Sequence, residues 1–209
     1  KFIKNNNRTL IDVGANIGSI TIPALKKNFF TNAIAFEPNP ESFKLLKVNI
    51  LINNLENKVK LYDVALTNKR TIKTLKSDLK LNRGDNRLIN GKKIGKNFFR
   101  VKTDMLDNFT KKFNKKNSLI KVDVQGEESI ILFASKKTLS KKIPIIIEFE
   151  PLNLKKNWKK YFIYIFKYYK YFYDLKDNNS AKKMNTLNNL NLLYQKYLNK
   201  KSFTDILFI

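Results

Sequence analysis

The chain has 209 residues, and 43% of them are hydrophobic, enough for one globular domain with a sizeable core. Cysteine and histidine are both absent, which excludes disulfides, thiol nucleophiles and Cys/His zinc centres and leaves Asp, Glu, Lys or Tyr as candidate bases. The net charge of +25 invites a nucleic-acid partner, but only Arg8, Arg70, Arg83, Arg87 and Arg100 are arginine, and dispersed lysine reads as a solvated basic surface instead.

The elements follow in chain order. Residues 9–13 form an apolar run that predicts a strand, and a glycine turn leads from it into a helix over 17–28. A second strand is expected at 33–36. The helix over 40–53 has Pro40 in its first turn, with Phe43, Leu46, Ile50 and Leu51 at helical spacing. Residues 59–63 predict a third strand, and 64–76 alternate loosely, as in a hairpin turning at Asn68-Lys69. The stretch 77–97, rich in Asn, Gly, Lys and Arg, reads as a long loop. Strands are expected at 98–103, 119–124 and 144–149, with a helix over 127–135.

Residues 157–174 are unusually aromatic. As a helix they place Trp158, Phe162, Ile165, Tyr169 and Phe172 on one side and Lys156, Lys159, Lys160, Lys167 and Lys170 on the other. The expected role is to cover the sheet. The alternative is a helix lying at an anionic lipid surface. Another amphipathic helix is expected over 187–198 and a last strand at 205–209. Strands alternating with helices indicate an α/β fold with a mostly parallel sheet, one domain over residues 1–209.

No apolar run reaches the roughly twenty residues of a membrane span, so no transmembrane segment is expected. The chain opens at Lys1 and not at Met, so an N-terminal truncation, with any targeting signal in the missing part, is left open. A cytoplasmic location is expected, with peripheral membrane contact as the alternative. Oligomeric state is unread.

The most informative segment is Thr9-Leu10-Ile11-Asp12-Val13-Gly14-Ala15-Asn16-Ile17-Gly18-Ser19-Ile20-Thr21. A buried strand ending in an acid and then a glycine turn is how nucleotide-binding α/β folds begin. Glu37 follows at the tip of the second strand, where a carboxylate can accept both hydroxyls of a ribose. Its bland alternative is a residue that merely precedes the helix at Pro40. A dinucleotide turn needs glycine at the positions held here by Gly14, Asn16 and Ser19, and two of the three fail. S-adenosylmethionine carries no phosphate and tolerates the looser turn.

Three blocks together resemble the signatures of FkbM-type S-adenosylmethionine-dependent methyltransferases. They are Ile11-Asp12-Val13-Gly14-Ala15-Asn16-Ile17-Gly18, Ala35-Phe36-Glu37-Pro38-Asn39-Pro40 and Lys121-Val122-Asp123-Val124-Gln125-Gly126-Glu127-Glu128. Val64-Ala65-Leu66, Ile145-Ile146-Ile147-Glu148 and Asp205-Ile206-Leu207-Phe208 are similar to that family as well. The resemblance implies a Rossmann-like methyltransferase fold, with helices on both faces of the sheet and an antiparallel C-terminal strand. It also implies S-adenosylmethionine as cofactor and methylation of a hydroxyl on a sugar or natural product. Asp12, Gly14, Ala15, Asn16 and Gly18 are expected to hold the methionine end of the donor. Glu37 takes the ribose, framed by Pro38 and Asn39. The resemblance places the adenine at Asp63, Val64 and Ala65.

Methyl transfer from a sulfonium is a direct displacement, and alignment of the reacting atoms can supply roughly 7–11 kcal/mol of the barrier. A hydroxyl acceptor must also lose its proton. Asp123, at the C-terminal end of a strand, and Glu127, four residues on, are the catalytic candidates, either as proton acceptor or as ligand to the acceptor's hydroxyls. Asp123 contacting the donor's amino group and Glu127 compensating a helix N-terminus are the alternatives. Lys121 faces either the pocket or the sheet surface. Glu148 and Glu150 are further candidates for acceptor hydroxyls, and Asp85, Asn86 and Arg87 for an acceptor lid. Asp104, Asp123 and Glu148 lack the spacing of a metal site, so no metal is expected. The expected partner is a glycan or small-molecule acceptor, with nucleic acid disfavoured. The rival readings are an RNA methyltransferase and a non-catalytic module that binds a nucleotide or a membrane surface.

Overall fold

Alternation of apolar residues at period two and period 3.6 resolves into two sheets and the helices that cover them. The computed structural model describes residues 8–77, 86–152, 154, 158–176 and 185–209. In chain order the first elements are β1 (Thr9–Val13), α1 (Thr21–Lys26), β2 (Asn32–Phe36), α2 (Pro40–Ile52), β3 (Val59–Tyr62), β4 (Val64–Leu66) and β5 (Thr71–Ser77). Then come β6 (Asn86–Ile89), β7 (Phe98–Asp104), a 3-10 turn (Leu106–Asn108), β8 (Ser118–Val122), α3 (Glu128–Ala134) and α4 (Lys136–Ser140). The last are β9 (Ile145–Phe149), α5 (Trp158–Ile165), β10 (Phe172–Asp174), α6 (Leu187–Asn199) and β11 (Thr204–Phe208).

The main sheet has the order β10-β11-β9-β8-β1-β2-β3. β1, β2, β3, β8 and β9 are parallel, and β11 is antiparallel to both β9 and β10. The chain builds outward from β1 to β3 and then crosses back to start β8 on the other side of β1. The loops after β1 and β8 therefore diverge, and a crevice opens between them at the C-terminal ends of the strands.

Side chains alternate between two cores. Leu10, Ala33 and Ala35 pack on α1 and α2 through Ala24, Leu25, Leu46 and Ile50. Ile11, Val13, Ile34, Ile120 and Val122 face the other way, toward Ile131 and Leu132 of α3 and Phe162 and Ile165 of α5. Helices thus lie on both faces of a Rossmann-like sheet. At the antiparallel edge, Asp174 is buried and accepts from Tyr197 at 2.9 Å and from Lys196 at 3.2 Å, as well as from the Thr204 hydroxyl. Burial opposes its charge, but these bonds outweigh it and hold the carboxyl below its ordinary value.

Several elements depart from the expectations. The helix after the first turn is short, because Asn16 and Gly18 take positive φ (50° and 94°) and keep residues 14–20 in turns. Residues 64–76 are no hairpin. β7 lies between β4 and β5, and the reversal is held by Thr103, whose hydroxyl donates to Lys69 O at 2.8 Å and accepts from Thr71 N at 3.1 Å. The expected loop at 77–97 contains β6, whose Leu88 packs on Ala65, Leu75 and Val101; residues 78–85, Asp85 among them, lie outside the described residues.

The aromatic stretch is not one helix. α5 ends at Ile165, and Phe172–Asp174 pairs with β11 as a strand. Tyr169, between them, is buried and donates its hydroxyl to Ile143 O. Phe162 and Ile165 face the core, so the apolar side of α5 covers the sheet. Lys156 and the side chains of Trp158 and Lys160 lie outside the described residues. α4 was not anticipated; its start is held by Asp107, which accepts from the N–H of Lys137 at 3.0 Å and of Thr138 at 2.8 Å. Among the described residues, no helix is long and apolar enough to cross a membrane.

Candidate active site

The crevice is a cavity of about 400 Å³ between the ends of β1, β2, β8, β9 and β11 and the smaller sheet. Its near wall is the turn after β1. The N–H groups of Gly14 and Ala15 both donate to Phe36 O, at 3.0 and 2.9 Å, which binds the turn to β2. Gly14 has φ +86°, and a Cβ there would fall on the carbonyl oxygen of Asp123. Only glycine lets the ends of β1 and β8 meet this closely.

Glu37 closes the same wall. Oε2 accepts from Asn16 N and Oε1 from Asn39 N, each at 2.8 Å. The carboxylate is 3% exposed, and burial pushes its pKa up to about 7 against the pull of those two amides. Asn39 stands behind it and does not line the cavity. Its side chain caps α2 by accepting from Glu41 N and Ser42 N, and donates to Ser77 and Asn86.

The floor is made by register. Asp12 of β1 and Lys121 of β8 are cross-strand partners on one face of the sheet. Asp12 Oδ2 accepts from the Thr21 hydroxyl at 2.6 Å, while Oδ1 is buried with no hydrogen-bond partner among the described residues. Lys121 Nζ stands 3.9 Å from that oxygen and 3.0 Å from Asp123 Oδ2. Burial pushes the Asp12 carboxyl up, opposed by Lys121 and Thr21. Burial also works against the lysine's charge, but Asp12 and Asp123 outweigh it and keep the ammonium charged.

The far wall is acidic. Glu127 sits at the N-cap position of α3 without capping it, and its Oε2 accepts from the Thr67 hydroxyl at 3.3 Å. Glu128 does the local structural work: it accepts from Val124 N at 3.1 Å and Gly126 N at 3.0 Å, fixing a turn in which Gln125 and Gly126 both have positive φ. Glu148 of β9 is the register partner of Asp205 of β11, and Gln125 Nε2 approaches it at 3.4 Å. Burial, and then the charges of Asp123, Glu128, Glu150 and Asp205, push the Glu148 pKa up to about 8. The remaining side is apolar, formed by Phe36, Val64, Ala65, Leu66, Leu75 and Leu88.

Of the residues singled out in the sequence, Asp12, Gly14, Ala15, Asn16, Glu37, Pro38, Val64, Ala65, Asp123 and Glu127 border this one cavity. Gly18, Asn39 and Asp63 do not. Gly18 serves the turn, where a Cβ would meet Ile22 and Leu46, and Asp63 is exposed between β3 and β4. Asp104 serves the 3-10 turn, accepting from the Asn108 side chain at 2.6 Å and from Met105 N at 2.8 Å. Among the described residues, no three His, Cys, Asp or Glu are grouped to hold a metal. Glu148 and Asn86, candidates for the acceptor, line the cavity as well, and Leu75, Leu88, Phe203 and Asp205 do so with no role assigned from sequence, as does Lys121, which the sequence left between pocket and sheet surface. Of the unassigned residues, only Lys121 left a signal there: it interrupts an apolar strand between Ile120 and Val122.

The sequence profile of the Methyltransferase FkbM domain matches residues 12–201. The chain belongs to the FkbM methyltransferase family. S-adenosylmethionine is the methyl donor of that family. The fold is similar to Methyltransferase FkbM from Methylobacillus flagellatus KT, at 12% identity and a TM-score of 0.58, over 98% of this chain and 44% of that one. It is also similar to a protein in the NADB-Rossmann superfamily from Streptococcus agalactiae, at 14% identity and a TM-score of 0.50, over 99% of this chain and 63% of that one. The chain therefore spans less than half of the first protein's length and under two thirds of the second's. At such identities the likeness speaks for the fold alone. No curated relative matches the sequence.

The cavity suits the FkbM donor chemically. Asp12 Oδ1, which accepts no hydrogen bond among the described residues, is an acceptor for an ammonium. Glu37 keeps acceptor capacity for a ribose diol beyond its two amide bonds. The apolar side, with Val64, Ala65 and Leu75, matches the faces of an adenine ring.

Proposed function

We propose that this FkbM-family chain, acting as one domain, transfers a methyl group from S-adenosylmethionine to a hydroxyl of a glycan or small hydroxylated metabolite. A cytoplasmic location goes with this reading. The observation that carries it is Glu37, held between two backbone amides in the same cavity as the Asp12 oxygen that accepts no hydrogen bond among the described residues.

When bound, S-adenosylmethionine supplies a methyl carbon already activated by a positive sulfur. Asp12 binds the ammonium of the donor, and Glu37 accepts its ribose hydroxyls. Val64, Ala65 and Leu75 flank the base. Asp123, neutralised by Lys121 at 3.0 Å, and Glu127, steadied by Thr67, orient the acceptor's hydroxyl. The acidic far wall disfavours a phosphate-bearing acceptor, so the basic exterior does not make RNA the better substrate.

The test is incubation of the purified chain with methyl-labelled S-adenosylmethionine and fractions of glycans, hydroxylated metabolites and RNA. Label in a sugar or metabolite methyl ether is expected. Label confined to RNA overturns the reading.

A further inference from the structure

We infer that Glu148 is the proton acceptor of this reaction and that it yields its own proton to solvent when the charged donor, but not the neutral product, occupies the cavity. The inference rests on the proposed donor site. The one lysine lining the cavity, among the described residues, is already committed. Lys121 Nζ stands 3.0 Å from Asp123 and 3.9 Å from Asp12. Asp123 Oδ2 is thereby already engaged in an ion pair with the lysine.

Glu148 has the opposite surroundings. It ends β9, next to β8, and borders both the main cavity and a small recess formed with Gln125, Gly126, Glu128, Glu150 and Leu154. A neutral amide, Gln125 Nε2, donates to it at 3.4 Å. The groups facing it are Asp123 and, beyond it, Lys121 from β8; Glu128 from α3; Asp205 from β11; and Glu150 just past β9. Lys176 acts on Asp205 and not directly on Glu148. Burial and this ring of like charge hold the free protein's Glu148 carboxyl protonated up to about pH 8.

A cation entering the cavity reverses that balance, since a nearby positive charge favours the ionised carboxyl. S-adenosylmethionine and S-adenosylhomocysteine share ribose, base and amino-acid end, and differ by one methyl and one positive charge. Glu148 therefore ionises with the donor and stays protonated with the product. During transfer, the acceptor oxygen bonds to the methyl carbon and the carbon–sulfur electron pair stays on sulfur. Glu148 then receives the hydroxyl proton. It keeps that proton once the positive charge is gone, and gives it to solvent when the next donor binds. One proton leaves per methyl transferred, so the cycle closes.

The experiment is calorimetric titration of the full chain with S-adenosylmethionine and, separately, S-adenosylhomocysteine. Each runs near pH 7.5 in two buffers of different ionisation enthalpy, which yields the protons released per ligand. The expected result is roughly half a proton to one proton more for S-adenosylmethionine than for S-adenosylhomocysteine. The excess should vanish in Glu148→Gln with both nucleosides still bound. In Asp205→Asn, which removes one negative neighbour, it should peak at lower pH than in the wild type. Equal release by the two nucleosides, or an excess that survives in Glu148→Gln, overturns the inference while the donor site stands. If Glu148→Gln does not fold, an unshifted peak in Asp205→Asn overturns it. Failure of both nucleosides to bind overturns the proposed donor site instead.

Discussion

The backbone N–H of Asn16 donates to Oε2 of Glu37 at 2.8 Å, tying the glycine turn after β1 to the tip of β2. The two candidate halves of a donor site are thus one unit, because the group proposed to grip the ribose also shapes the turn beneath the methionine end. Glu37→Ala should weaken S-adenosylmethionine binding by roughly 2–4 kcal/mol, about 30- to 1,000-fold, through loss of charge-assisted bonds. Calorimetry on the folded variant measures this, and unchanged affinity removes Glu37 from the donor site.

Affinity should also depend on pH. The Glu37 pKa is pushed up to about 7 by burial, so the folded chain holds a proton there that the unfolded chain releases near 4.5. This contribution to stability is full below 4.5 and is lost as pH rises through about 7. Donor binding has the opposite sign, because two ribose hydroxyls need the ionised carboxylate. From pH 6 to 8 the donor's stabilising effect in thermal melts should grow, and Glu37→Gln should flatten that trend.

Gly14 and Gly18 both have positive φ, but their surroundings differ. A Cβ on Gly14 would fall on backbone, at Asp123 O, whereas one on Gly18 would meet the side-chain ends of Ile22 and Leu46 at 2.9 Å. Side-chain ends can move and the β8 backbone cannot without parting from β1. Gly14→Ala should therefore cost roughly 3 kcal/mol or more in chemical denaturation, and Gly18→Ala less. The reverse order would contradict the packing described.

Lys121→Met leaves Asp12 and Asp123 without their cation. Asp123 is 34% exposed on its side chain, so solvent softens the loss, and a cost of about 1–3 kcal/mol is expected at pH 7. Adding Asp123→Asn should recover part of it. A double-mutant cycle that sums without coupling would show that the pair contributes nothing.

Asp174 gives the chain an acid limit. Its carboxyl is held below the ordinary 3.8 by bonds from Thr204, Tyr197 and Lys196 that outweigh burial, so its contribution is present above pH 3.8 and lost as pH falls through the lowered value. Asp174→Asn should lower the melting temperature at pH 7 and reduce the acid dependence below pH 4.

Where the candidate site rests on local pattern, the sequence was readable. β1 and its turn announce themselves through an apolar run, an acid and Gly14, and Glu37 is marked by the strand before it and the prolines after it. What was hidden depends on pairings between distant segments. Lys121 lies in an apolar strand, and only the β1–β8 register puts it beside Asp12. Asp205 faces Glu148 because β11 runs antiparallel into the gap beside β9. β7 reads as a strand, but its insertion between β4 and β5 left no local trace, since alternation fixes which face a side chain takes but not which strand lies alongside. The family resemblance puts Asp63 at the adenine, yet it falls at the break between two strands and is exposed.

Among the described residues β11 is the last strand in chain order, yet Asp205 on it borders the same cavity as Asp12 on β1. Loop-closure entropy makes such distant pairings slow to form. Without β11 docked on β9, the glycine bend after β1 has no Asp205 opposite it. Under the proposed function, a nucleoside bound there favours the state in which β1 and β11 are both docked.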